Sequence, residues 1–226
     1  MPHRKTVIFD AYGTLFDVAG AARLAAAEPD GAVLADVWPT LAENWRRKQL
    51  EYTWLRAIMG AHADFAEVTA DALDWALDVQ GLAHHGLRAR LLALYDALPA
   101  YPEVPQALAA LRAKGMRLAV LSNGTPGMLR AAISSAGVGD LIETLLSVED
   151  VGIYKPSPRA YELVGTKMGV AKEKVLFVSS NGWDVAGAAR FGFATVWVNR
   201  TGQPMERLPH GPNHIMPDLS HLLVIA

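Results

Sequence analysis

The chain has 226 residues, enough for one large α/β domain or for a core domain carrying a smaller insertion. Apolar residues make up 51%, which predicts a sizeable buried core and excludes wholesale disorder. With 21 basic and 23 acidic residues the formal net charge is -2, so no nucleic acid or anionic membrane partner is expected. The lack of cysteine excludes disulfides, thiolate zinc sites and a cysteine nucleophile.

The opening stretch, MPHRKTVIFDAYGT, has only a short apolar run before Asp10. That is too little for a signal peptide, no run approaches transmembrane length, and the expectation is a cytoplasmic protein. The first predicted strand is Thr6 to Asp10, followed by the turn-like Ala11-Tyr12-Gly13-Thr14. Residues 17 to 98 show no β run. Leu41, Trp45, Leu50, Trp54 and Leu55 through Met59 read as helical, as do Ala72 to Val79 and Leu87 to Leu98. The aromatics here (Trp38, Trp45, Tyr52, Trp54, Trp75) read first as helix-packing residues. Further strands are predicted at 116–121, 145–147, 174–178 and 195–199. Between them lie helical periods at 105–114, stopped by Gly115, and 128–136, stopped by Gly137. A third helix has Ser157 as its N-cap, Pro158 at its first position and an end near Gly169. Continuous apolar strands alternating with helices predict a Rossmann-like parallel sheet with helices on both faces. The expected division is a core of 1–16 and 99–226 and an inserted helical cap of 17–98.

In such sheets ligands bind beyond the carboxyl ends of the strands. Asp10, Ser122, Asn123, Ser179 and Asn181 all fall there. A lone aspartate at a strand end commonly serves a turn; the convergence of several polar residues on one edge is what marks a site. The seven histidines form no metal set, with His84-His85 in an expected cap turn and His210, His214 and His221 scattered through the tail.

At this point the sequence resembles the haloacid dehalogenase superfamily, with an apolar strand, Asp10 and a Gly13-Thr14 loop. Its other motifs follow in order at Ser122-Asn123, Lys155-Pro156 and Ser179-Ser180-Asn181-Gly182-Trp183-Asp184. Two departures separate the chain from the superfamily's phosphatases. Tyr12 stands where those enzymes carry a second aspartate that protonates the leaving alkoxide. Ser180 stands where an acidic residue helps hold magnesium, leaving Asp184 as the acidic member of that motif. A halide leaves as a stable anion and requires neither aid.

Longer segments resemble the L-2-haloacid dehalogenase branch, including Phe9 to Val18, Lys48 to Arg56, Leu121 to Gly124 and Tyr154 to Pro156. The resemblance implies a cytoplasmic homodimer that hydrolyses short-chain L-2-haloacids to D-2-hydroxyacids without metal or other cofactor. It implies Asp10 as nucleophile, oriented by Thr14, with Lys155 compensating its charge and Asp184 fixing Lys155 or placing water. Arg46 and Asn123 would receive the halide, and Ser122 with nearby backbone N–H groups the substrate carboxylate. Tyr12, Asn181, Tyr161 and Ser179 would shape the pocket and its hydrogen bonds, and Leu50, Phe65 and Trp183 would form an apolar wall. Arg47, beside Arg46, would either alter halide or substrate preference or face water. The alternatives are a magnesium-dependent phosphatase on the same fold, or a non-catalytic binding protein that kept it.

Overall fold

The computed structural model describes residues 5–83 and 86–226. The chain forms two compact units, one of Met1–Phe16 with Ala100–Ala226 and one of Asp17–Pro99.

The first unit is built on six strands: β1 (Thr6–Phe9), β2 (Arg117–Ser122), β3 (Thr144–Ser147), β4 (Val175–Ser179), β5 (Ala194–Val198) and β6 (His214–Met216). They pair in parallel in the order β3-β2-β1-β4-β5-β6. Such a sheet needs cover on both faces, and β1, β2 and β4 are accordingly mostly apolar and buried along almost their whole lengths. Phe9 pairs with Val120 on one side and Val178 on the other, so three adjacent strands end at nearly the same height. The connecting helices are α5 (Val104–Ala113), α6 (Pro126–Ser135), α7 (Pro158–Met168) and α8 (Gly182–Phe191).

Capping explains the helix limits. In α6, Thr125 accepts a hydrogen bond from the Met128 N–H and Pro126 opens the first turn. In α7, Pro158 opens the helix after Ser157, and Gly169 at φ 65° ends it in the left-handed conformation. Ser157 holds the N-cap position without a side-chain capping bond. A core cluster includes Ile8, Leu121, Tyr161 and Phe177, the Tyr161 ring meeting Phe177 edge-on at 5.7 Å.

The second unit is helical, with α1 (Gly20–Ala27), α2 (Trp38–Met59), α3 (Phe65–Val79) and α4 (Leu87–Asp96). The Asp64 side chain accepts from the Glu67 N–H at 2.8 Å, capping α3. Trp45 packs against Tyr95 with ring centroids 5.0 Å apart, the packing role expected of it.

Two expectations change. The strands at 116–121 and 174–178 end one residue later, which puts Ser122 and Ser179 inside β2 and β4, both fully buried. The sheet also gains β6 in the tail, including His214. His84-His85 lie outside the described residues. Among the described residues no helix is long and apolar enough to cross a membrane.

Candidate active site

Asp10 follows directly on β1, and its N–H still bonds the Val178 carbonyl at 2.9 Å, so the ladder to β4 fixes where its side chain starts. The chain then turns sharply, with the Leu15 and Phe16 N–H groups both donating to the Ala11 carbonyl. Gly13 makes this turn at φ 89°, and a Cβ there would lie 3.0 Å from the Ser180 hydroxyl. The turn folds Thr14 back, and its Oγ1 donates to Asp10 Oδ2 at 2.8 Å.

Donors from two other segments of the chain meet the same carboxylate. Oδ2 accepts from Asn181 Nδ2 at 2.8 Å and from Ser179 Oγ at 3.3 Å. Oδ1 accepts from Lys155 Nζ at 2.8 Å. That ammonium also donates to Asp184 Oδ2 at 2.7 Å and to the Leu121 carbonyl at 3.1 Å, using all three of its protons. Lys155, Asp10 and Asp184 are buried, at 1%, 5% and 0% exposure. Lys155 lies well past β3 in the turn entering α7, not at a strand end, and its backbone N–H is held by Asn123 Oδ1 at 3.0 Å. Asp184 sits in the first turn of α8, where the helix dipole also favours an anion.

The electrostatics follow from one cation facing two anions in a dry site. Burial pulls the Lys155 ammonium towards neutrality, but the charges of Asp10 and Asp184 outweigh it and its pKa is raised. Burial pushes the Asp184 carboxyl up to about 6 against the pull of Lys155, and the Asp10 charge adds to the rise. Tyr161 donates to Asp184 Oδ1 at 2.8 Å, and burial, then the Asp184 charge, push its phenol well above the ordinary value.

The raised Asp184 pKa has a signed consequence. Between about pH 4 and 6 the folded chain holds a proton that the unfolded chain has lost, so this group's contribution to stability falls as pH rises through that window. The change is on the order of 3 kcal/mol. Asp184→Asn removes it, so the melting temperature of the variant relative to the parent is expected to climb from pH 4 to 6 and level off above pH 7. A difference that stays flat over that range would show that Asp184 titrates normally.

The remaining expected residues fall as follows. Tyr12 is buried, and its ring lies so close to Gly124 that a Cβ there would meet it at 2.8 Å. Its carbonyl accepts from Asn181 Nδ2 at 3.3 Å. Ser122 is buried and accepts from the Gly124 N–H at 3.1 Å, shaping the loop that carries Asn123. Trp183 is half-buried at the start of α8. Arg46, Leu50 and Phe65 belong to the helical unit, Arg46 and Leu50 half-buried on α2 and Phe65 buried at the start of α3. Arg47 points along the surface of α2, bonding Asn44 at 3.1 Å with its guanidinium 5.1 Å from the Trp75 ring centre.

Three contributors had no sequence assignment. The Leu121 carbonyl, a backbone group with no residue signature, completes the Lys155 shell. Trp197 Nε1 donates to the Ser180 carbonyl at 3.1 Å, and Arg200 donates to the Thr14 carbonyl at 2.8 Å while pairing with Glu103 at 2.7 Å. Both lie at the carboxyl end of β5, the position in the sheet that could have marked them.

The donor set does not suit a divalent cation. Between Asp10 and Asp184 stands the Lys155 ammonium, where a metal bridging two carboxylates would have to lie. Ser180 offers a hydroxyl that is engaged with Thr14, its N–H donating to Thr14 Oγ1 at 2.8 Å. Among the described residues no three His, Asp or Glu side chains converge as a ligand group.

The chain is similar to known proteins. A family profile described as haloacid dehalogenase-like hydrolase matches residues 4–192. The (S)-2-haloacid dehalogenase 1 of Pseudomonas sp. (strain CBS-3) is 41% identical over 96% of this chain and 94% of its own. Haloacetate dehalogenase H-2 of Moraxella sp. (strain B) is 39% identical over 98% of each. The solved L-2-haloacid dehalogenase of Xanthobacter autotrophicus with chloropropionic acid covalently bound superposes with a TM-score of 0.88 at 37% identity, over 98% of this chain and 97% of that one. The order of the sheet, the caged aspartate at its centre and matches over nearly the full length agree: the chain belongs to the haloacid dehalogenase-like hydrolase family.

Proposed function

We propose that this protein hydrolyses short-chain L-2-haloacids to D-2-hydroxyacids and halide, without a metal, through an ester on Asp10. The observation that carries the reading is the Asp10 carboxylate itself. It is buried, held on both oxygens by Lys155, Thr14 and Asn181, and followed two residues later by the buried ring of Tyr12 in place of a carboxylate at that position. Such a group suits displacement of a leaving group that departs without a proton.

Asp10 attacks C2 opposite the carbon–halogen bond, so the centre inverts while the bond to halide breaks. Water then attacks the aspartyl carbonyl carbon. The carbonyl–oxygen bond of the ester breaks, the hydroxyacid leaves with an original Asp10 oxygen, and the water oxygen stays on the aspartate. Because donors surround both carboxylate oxygens, whichever remains the ester carbonyl keeps a partner for the oxyanion that forms on it. Lys155 compensates the charge of the nucleophile, and Asp184, fixed by Lys155 and Tyr161, orients the water.

In the same reading Arg46 and Asn123 receive the halide, Ser122 with neighbouring N–H groups binds the substrate carboxylate, and Tyr12, Leu50, Phe65 and Trp183 bound the alkyl group. The relatives named as (S)-2-haloacid and haloacetate dehalogenases support the substrate class. A homodimer and a cytoplasmic location belong to the proposal too. The exposed Leu55, Ile58 and Met59 on α2 support the first, and the cysteine-free composition fits the second.

The test is a single turnover with excess enzyme in heavy-oxygen water. The product hydroxyl is expected to be unlabelled and the Asp10 peptide to gain one heavy oxygen. Label in the product and none in Asp10 would reject the ester route. Phosphatase chemistry is disfavoured by Tyr12 and by Ser180, and retention of the Asp10–Lys155–Asp184 cage disfavours a purely structural protein, because buried ionic groups cost stability.

A further inference from the structure

The interior of the helical unit is made of residues such as Leu34, Leu41, Leu73 and Leu91, yet Gln49 lies among them at 1% exposure. A buried carboxamide left without partners costs about 1–3 kcal/mol, and a methionine would fill the same volume at no such cost. Gln49 is fully partnered. Its Nε2 donates to Thr69 Oγ1 at 2.7 Å and to the Tyr95 hydroxyl at 3.1 Å, and its Oε1 accepts from Arg46 Nη1 at 2.8 Å. Thr69 is itself fixed, its hydroxyl donating to the Phe65 carbonyl at 2.6 Å and its carbonyl accepting from Trp45 Nε1 at 2.8 Å. Tyr95 is held by its ring contact with Trp45. The guanidinium of Arg46 is therefore tied, through one side chain a turn further along α2, to both α3 and α4.

We propose that Gln49, anchored by Thr69 and Tyr95, is a positioning residue that fixes the Arg46 guanidinium for the departing halide. The inference rests on the reading of Arg46 as halide acceptor. Arginine carries about 2 kcal/mol of rotamer freedom, and a side chain free to sample it spends little time in one orientation. Fixing it beforehand places the charge where the leaving halide develops its own.

Chloride leaves less readily than bromide and needs more of that assistance. In Gln49→Met the single-turnover rate of halide release is therefore expected to fall by about 100-fold with (S)-2-chloropropionate, the scale of a misplaced catalytic group, and by about 10-fold with (S)-2-bromopropionate. Tyr95→Phe, which deletes one hydroxyl and disturbs packing little, is expected to shift the same ratio in the same direction by a smaller factor. Adding Gln49→Met to Arg46→Ala is expected to change the rate by less than about twofold, since the residue would act only through the arginine. Equal losses with both halogens in folded Gln49→Met and Tyr95→Phe, or additive effects in the double variant, would overturn the proposal while leaving Arg46 its role. If Arg46→Ala itself slowed both halogens equally, the halide-acceptor reading would fail and this proposal with it.

Discussion

Asp10→Asn is expected to lower the turnover number by about 10⁴-fold or more while leaving the fold in place. The two side chains have nearly the same shape, so the packing around β1 has no reason to change. The amide oxygen is a far weaker nucleophile than a carboxylate, however, and the other carboxylate of the cage is not placed to replace it. Asp184 is fully buried and held by Lys155 and Tyr161, with its carboxylate directed at those two donors. Loss of one negative charge also leaves Lys155 with a single carboxylate, which removes like-charge repulsion from the cage. The melting temperature is accordingly expected to stay near that of the parent or to rise. Halide release followed by electrode, together with the mass of the Asp10 peptide quenched during turnover, checks both halves. A variant that kept more than about 1% of parental halide release would remove Asp10 from the nucleophile's role.

Lys155→Met is expected to have the largest effect on stability. It leaves Asp10 and Asp184 facing each other in a buried site without a cation, and breaking a buried pair in this way costs about 3–5 kcal/mol. For a chain of this length that corresponds to a fall in melting temperature of about 6–20 °C at pH 7. The sign of the pH dependence is distinctive. Unpaired and close together, the two carboxyls resist ionisation in the folded state, so the deficit should shrink as pH falls towards 5 and one of them takes up a proton. Halide release should be lost as well, because Asp10 loses the cation that holds one of its oxygens and compensates its charge. A variant as stable as the parent at pH 7 would mean that the ammonium does not hold the cage together.

Much of this centre was legible from the chain because its parts lie at the ends of apolar strands. Asp10 and Asn123 follow such strands, Ser122 and Ser179 close them, and Asn181 lies just beyond. The limits of α7 were legible for a similar reason, since Pro158 and Gly169 act locally. What escaped was long-range or short. β6 is three residues long, mostly exposed and at the sheet edge, so it has no apolar run to reveal it. Lys155 reaches Asp10 across 145 positions of sequence, and only the family resemblance pointed to it. Asp184 reads as an acid in the first turn of a helix, and its complete burial exists only once α8 is packed. Gln49 interrupts an apolar helix face, and without its partners from α3 and α4 it looks like a polar residue out of place. Trp197 and Arg200 bond backbone carbonyls, which leave no trace in side-chain identity.

The helical unit enters and leaves the chain at nearly one point. Phe16 and Ala100 form an antiparallel bridge in the first unit, and the Asp17 N–H donates to the Pro99 carbonyl at 2.9 Å in the second. The insertion lengthens the connection from β1 to β2 roughly fourfold, which is two doublings, and each doubling adds only about 0.6 kcal/mol of closure entropy. Because the ends of the insert are pinned together, even that figure is an upper bound. A parallel sheet can thus accept a whole extra body directly behind its nucleophile strand at an entropic cost smaller than that of one deleted core methyl pair. The sequence of Asp17–Pro99 can then be rewritten while the hydrogen-bond ladder that aims Asp10 stays untouched.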